Sequence, residues 1–205
     1  RLARHHDLVL VHDPELLMAA AGLRLRNLVW DVHEDPGAAV QVKEWVPKTL
    51  RPAAAALWRG AERKVERSHE LLLAEFAYQE RFRRSHPVVP NTVVVPAKTV
   101  PPGRDRVVYL GTVTEGRGCS LMIAVARALA ALPDRPVRLE IIGEAPEQNS
   151  AAALQAAERE GILTWCGFLP SHAALARISG ALAGLSLLDD LPNFHGSLPT
   201  KVVEY

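Results

Sequence analysis

Short apolar runs alternate with stretches of helical period along this chain, and that alternation restricts it to the α/β class. The rhythm is clearest in the second half. "RVVYLGTV", "VRLEIIGE", "ILTWCGFL" and "LAGLSLLDD" read as strands. Between them "SLMIAVARALAAL", "SAAALQAAERE" and "SHAALARISGA" carry apolar residues at helical spacing. Pro133 closes the first of these helices, Gly161 caps the second, and Ser171 stands at the N-cap of the third. "PTKVVEY" opens a further helix with Pro199 at its first position. Earlier, "DLVLVHD", "NLVWDVHED" and "ELLLAE" read as strands. "PELLMAAAGL" (ending near Gly22), the Ala- and Arg-rich stretch from Thr49 to Ser68, and "FAYQERFRR" read as helices. Strands separated by helices pair in parallel through right-handed crossovers. "HPVVPNTVVVPAKTVPPGRDR" holds five prolines and no helical period, so it reads as a linker between two α/β halves, residues 1–100 and 101–205.

Composition excludes several functions. A net charge of +1 provides no field for nucleic acid. Cys119 and Cys166 form neither a disulfide framework nor a zinc signature; they read as free thiols of a reducing cytoplasm. No run of about eighteen uncharged apolar residues spans a membrane. The chain opens on Arg1 without a signal peptide, and reads as a piece of a longer cytoplasmic protein. Lys48, Arg51, Arg59, Arg63, Lys64 and Arg67 make one helix basic. Its face is either simply solvated or a patch for anionic lipid heads at the inner membrane surface.

Ligands of open parallel sheets bind beyond the carboxyl ends of the strands. There the sequence places "YLGTVTEGRGCSL". Gly111 ends a strand, Gly116 and Gly118 let backbone approach a ligand, and a helix start offers free amides. Arg117 adds a planar cation suited to phosphate. Neither G-x-x-x-x-G-K-[ST] nor a complete G-x-G-x-x-G is present, since position 121 is Leu. The stretch is a diphosphate cradle or an ordinary Gly-rich turn. "GSLPTKVVEY" supplies a second helix start, with Lys201 as another cation and Glu204 as an acceptor for sugar hydroxyls. The plainer reading of Lys201 and Glu204 is a surface ion pair.

"LGTVTEGRG", "IIGE", "GFLPSHAALARI" and "SLPTKVVEY", in that order, resemble the donor half of retaining glycosyltransferases of the GT-B fold, the large family of sucrose-, mannosyl- and glucosyl-type transferases. "LVLVHDPELL", "VWDVHED" and "VVPN" resemble the later part of the acceptor half. The resemblance implies two Rossmann-like halves, both incomplete here. It implies metal-free transfer, with retention, of a sugar from a nucleotide diphosphate sugar to a saccharide, lipid-linked or small-molecule hydroxyl. No cofactor is implied. Arg117 matches one of the family's two phosphate-binding cations; the other position is Thr112. Glu204 matches the ribose-binding Glu, while the Glu eight residues earlier is replaced by Gly196; Pro199 and Lys201 fit a Pro-x-Lys variant that includes Ser197 and Leu198 in the donor loop. Phe168 and Leu169 fall where, by position, backbone of the family meets the nucleobase, and Gly111 and Gly118 count with the donor-binding cradle. His33 matches a histidine near the transferred sugar, and His12 faces the acceptor. The halves are expected to close over the donor, with the linker as hinge.

Three other functions share these residues. His12, Asp13, Asp31, His33, Glu34 and Asp35 form donor clusters that suit a metal-assisted hydrolase, although their spacing is that of no zinc signature. The absent first Glu and Thr112 suit a non-catalytic nucleotide-sugar-binding subunit. A sugar-nucleotide epimerase can share the fold.

Overall fold

The computed structural model of the chain describes residues 5–20, 25, 27–43, 45–93, 95–133 and 135–205. Gly22, the expected end of the first helix, lies outside them. The chain divides into two compact units, one reaching to Asn91 and including Asp190–Leu198, the other formed by Thr92–Asp189 and Pro199–Tyr205. Each has its own parallel sheet, and together they are two Rossmann-like halves of α/β type.

The first sheet has the order β1 (Val9–Val11), β2 (Leu28–Val32), β3 (Glu70–Leu73). Its strands run parallel, with Val11 opposite Trp30 and Trp30 opposite Leu71. Trp30, Val32, Leu71 and Leu73 are fully buried, as expected of parallel strands covered by helices. Helices α1 (Pro14–Ala20), α2 (Pro36–Val42) and α3 (Arg51–Ser68) accompany them. α2 is absent from the sequence-based expectation. Its start nevertheless carries a standard signal, because the Asp35 side chain accepts the Ala38 N–H and Pro36 fills the first turn. "FAYQERFRR" forms a 3₁₀ turn over Phe76–Arg81 rather than an α-helix. Part of the expected linker belongs to the sheet: Leu73 bridges Val88, and Val89 N–H reaches Leu73 C=O at 2.8 Å.

α3 buries carboxylates instead of an apolar stripe. Glu62 and Glu66 are buried on it. Glu62 pairs with Arg59 and Arg81. Glu66 Oε1 accepts the backbone N–H groups of Arg83 and Arg84, both at 2.7 Å, and lies 3.2 Å from His86 Nε2. Burial pushes the Glu66 carboxyl up, but the amide of Arg84, then His86 and the amide of Arg83, outweigh it and hold the group below its ordinary range.

The second sheet has the order β6 (Leu163–Trp165), β5 (Arg138–Ile142), β4 (Arg106–Leu110), β7 (Ala183–Gly184), all parallel. Its helices are α4 (Cys119–Ala130), α5 (Gln148–Arg159), α6 (Ser171–Ile178) and α7 (Thr200–Glu204). Tyr109, Leu139 and Ile141 pack on Met122, Ala126 and Leu154 across one face. Val108 and Ile142 pack on Ala174 and Ile178 across the other. Three boundaries differ from expectation. Ser171 is the first residue of α6, with Pro170 at the cap position and no side-chain cap. Pro199 occupies the cap of α7, one residue before its first turn. "LAGLSLLDD" contributes only two ladder residues, and the Tyr205 ring lies against Gly184, where a Cβ would fall 2.1 Å from it. Cys119 is buried, Cys166 half-buried, and both are free thiols.

Two substitutions test this packing. Glu66→Ala leaves three donors unanswered in the interior and should cost about 3–5 kcal/mol in urea unfolding. Because the folded Glu66 pKa lies below its unfolded value, its stabilisation is present above the unfolded pKa near 4.5 and is lost as pH falls through the folded value. Wild-type protein should therefore lose more stability on acidification than Glu66→Gln does. Gly143→Ala places a Cβ 2.0 Å from the Gly111 carbonyl oxygen at φ +149°, and should prevent folding or displace both loops.

Candidate functional site

The loops beyond the carboxyl ends of β4, β5 and β6 are joined backbone to backbone. Gly111 N–H reaches Ile142 C=O at 2.9 Å, Val113 N–H reaches Glu144 C=O at 2.8 Å, and Gly143 N–H reaches Gly167 C=O at 2.7 Å. Against this floor lies Lys201. Its ammonium sits 3.9 Å from the centroid of the Tyr109 ring and beside Gly111, where a Cβ would approach Nζ to 3.2 Å. The Tyr109 ring is fully buried, and its hydroxyl donates to Thr112 C=O at 2.9 Å. Lys201 thus rests on the aromatic face in a cation–π contact.

Arg117 joins the same neighbourhood. Burial first, then the charge of Arg117, lowers the Lys201 pKa to about 8, with Glu204 opposing both. Burial raises the Tyr109 hydroxyl, and Arg117 counters it. Among the described residues neither Arg117 nor Lys201 has a carboxylate within ion-pair distance, so the surface pair with Glu204, the plainer reading of that stretch, does not form. Gly118 turns the chain into α4 at φ +82°, and a Cβ there would meet Leu187 Cβ at 2.8 Å. The first bond into α4 runs from Met122 N–H to Gly118 C=O, and the amides of Ser120 and Leu121 have no partner among the described residues. Glu115 already stands at this helix start, accepting the Ser120 hydroxyl at 3.0 Å. α7 is a five-residue helix, so it contributes a cation here rather than a dipole.

The remaining donor-side residues are distributed as follows. Glu204 is half-buried near Lys201. Phe168 is exposed beyond β6, while Leu169 packs with Val108, Ile142 and Ala174. Ser197 and Leu198 count with the first unit, where Leu198 N–H donates to Glu75 Oε1 at 2.8 Å. Sequence reasoning missed Tyr109 and Tyr205. The Tyr205 hydroxyl accepts Leu110 N–H at 2.9 Å and donates to Leu185 C=O at 3.0 Å, replacing the next rung between β4 and β7. The available signal for Tyr109 was a lone phenol in an aliphatic strand, since a buried hydroxyl must find a partner.

In the first unit His12 follows β1 and His33 follows β2. Both approach one oxygen of Asp31: His12 Nδ1 at 3.0 Å and His33 Nε2 at 2.9 Å. Their rings meet edge to face at 5.0 Å. Of the six donors suggested for a metal, these three converge. Asp35 is committed elsewhere, to the α2 cap and to Arg59 at 2.6 Å.

No protein-family model matches the sequence. No curated protein matches it either. Solved structures do match in fold. Sucrose-phosphate synthase from Thermosynechococcus elongatus superposes with a TM-score of 0.62 at 15% identity, over 98% of this chain and 53% of that one. The lipopolysaccharide outer core galactosyltransferase WaaB, in its apo form, gives 0.53 at 16% identity, over 88% and 49%. A mutant of S. aureus TarM in complex with fondaparinux, alpha-GlcNAc-glycerol and UDP gives 0.52 at 11% identity, over 79% and 32%. The chain therefore has the GT-B fold of these structures and spans about half of their length or less.

The Lys201 environment is directly measurable. Its ammonium should titrate near pH 8 by NMR of isotope-labelled lysine. In Arg117→Ala, loss of the like charge should move that titration upward. The folded pKa lies below the unfolded one, so folding prefers the neutral amine. This group's contribution to stability should rise as pH increases from about 8 to the ordinary lysine value of 10.5.

Proposed function

We propose that this chain binds the diphosphate of a nucleotide sugar and belongs to a glycosyltransferase that passes the sugar to an acceptor hydroxyl with retention and without a metal. The observation that carries this reading is the approach of two cations that have no carboxylate within ion-pair distance among the described residues: Lys201 lies on the Tyr109 ring at the carboxyl end of a parallel sheet, and the charge of Arg117 acts on both groups. Like charges repel, so folding brings them together at a cost that an anion would offset. A departing nucleoside diphosphate is such an anion. Its developing charge would be stabilised by preorganised donors: the two side chains, with the α4 amides of Ser120 and Leu121 beside them. UDP in the similar TarM mutant structure supports the ligand class. Glu204 would accept from the ribose, and Phe168 and Leu169 would meet the base. His33 and His12 would serve sugar and acceptor hydroxyls, since an imidazole can donate or accept near neutral pH.

A second reading is favoured by Thr112 and Gly196, which stand where the resemblance places a cation and a carboxylate. It keeps donor binding and drops catalysis. A third element concerns location in the cytoplasm. No helix among the described residues is long and apolar enough to cross a membrane. Exposed Trp45, Leu50 and Leu57 beside Lys48, Arg63, Lys64 and Arg67 would suit the anionic inner face of one.

Calorimetry with a panel of nucleotide sugars tests the donor site. One selective binder is expected, and Arg117→Ala or Lys201→Ala should weaken it strongly while circular dichroism stays unchanged. Turnover should fall about 100–1000-fold in either variant. Binding should also take up a proton between about pH 8 and 10.5, because the anion restores the Lys201 charge; affinity then falls as pH rises through that window. Donor binding equal to wild type in both variants refutes the cradle. Binding without transfer to any acceptor selects the second reading.

A further inference from the structure

We propose that His12, Asp31 and His33 bind one borderline divalent cation of the zinc type. The donor atoms are two imidazole nitrogens and one carboxylate oxygen, all within 4.8 Å of one another. That set suits zinc at an open three-ligand site, whereas magnesium and calcium prefer oxygen ligands alone. Bonds of about 2.0–2.2 Å at tetrahedral angles separate neighbouring donors by roughly 3.3–3.5 Å. The two N–O separations are 3.0 and 2.9 Å, a few tenths of an ångström short of that spacing, and the two nitrogens lie within 4.8 Å of each other, so closing on a cation asks the imidazoles to turn toward it.

Three further features favour the site. Neither imidazole N–H is aligned on the Asp31 oxygen as a hydrogen bond, so an entering cation displaces no good one. The backbone behind each histidine is tied down: Trp30 Nε1–H donates to His12 C=O at 3.3 Å, and the Tyr78 hydroxyl donates to His33 C=O at 3.1 Å. Exposure is graded, with the Asp31 side chain at 13%, His33 at 31% and His12 at 55%, leaving the fourth coordination position toward solvent. His12, the most exposed ligand, is the one free to make the small adjustment.

The cation would occupy the His33 nitrogen, so it competes with any sugar hydroxyl for that group; this consequence rests on the function proposed above. The cation site itself does not. The test is calorimetric titration of the chelator-treated chain with Zn²⁺, repeated with Co²⁺ to read the absorption bands of a tetrahedral site. One ion per chain is expected. Binding should be lost in His12→Ala and His33→Ala, both checked by circular dichroism, and retained in Cys119→Ser and Cys166→Ser. Absence of binding, or binding that survives His12→Ala, overturns the site. Nucleotide-sugar binding is measured separately in chelator. If zinc binds and no donor does, the cation site stands and the transferase reading falls. If a donor binds and zinc does not, the cation site alone falls.

Discussion

Lys201 lies on a buried ring within reach of the charge of Arg117, and among the described residues neither cation has a carboxylate within ion-pair distance. A protein that needed only stability would place an acid between Arg117 and Lys201. Glu204 is near enough to raise the Lys201 pKa, yet burial and the guanidinium win. The arrangement holds because rigid pieces impose it. Lys201 stands on a short helix closed by the Tyr205 N–H at 3.0 Å from its own carbonyl, and Arg117 stands in a turn fixed by the left-handed Gly118. The proposed anion site would therefore be preorganised before a ligand arrives.

The floor beneath the cations depends on close backbone approach. Gly143 faces the Gly111 carbonyl, Gly118 faces Leu187, and Gly184 faces Tyr205; in each case a Cβ would fall at 2.8 Å or less from its neighbour. The first contact brings the loops after β4 and β5 together backbone to backbone, and the other two make room for the side chains of Leu187 and Tyr205. The first unit solves a different problem by a different route. Its α3 uses Glu62 and Glu66 to collect arginines and amides from residues 59–86, so charge pairing joins the apolar packing of Val65 in anchoring that helix.

Much of this was legible in the sequence, and the exceptions have physical causes. Strand–helix alternation gave the class because both faces of a parallel sheet are covered, leaving apolar runs that are hard to mistake. Arg117 and Gly118 were visible as turn chemistry beyond a strand. α2 escaped because seven residues, most of them small and buried, display no helical stripe, although Asp35 and Pro36 marked its start. The strand in "LAGLSLLDD" was legible but the shortness of β7 was not, because its partner on the next rung is a phenol twenty residues away, Tyr205, which no local pattern reveals. Tyr109 looked like core and is core; its second role, as a platform for Lys201, exists only once α7 returns over the sheet. Asp31 and His33, two residues apart at a strand end, share a face by simple alternation, but the meeting of both with His12 required the parallel pairing of β1 with β2.

The depressed ammonium has a chemical consequence. With a pKa of about 8, roughly a tenth of Lys201 is a free amine at neutral pH, against about one part in a few thousand for an ordinary solvated lysine. Acylating or aldehyde reagents will therefore single it out among the chain's lysines. A bound anion, by restoring the proton, would shield it, so occupancy of the proposed cradle would become readable as protection of one side chain from covalent labelling.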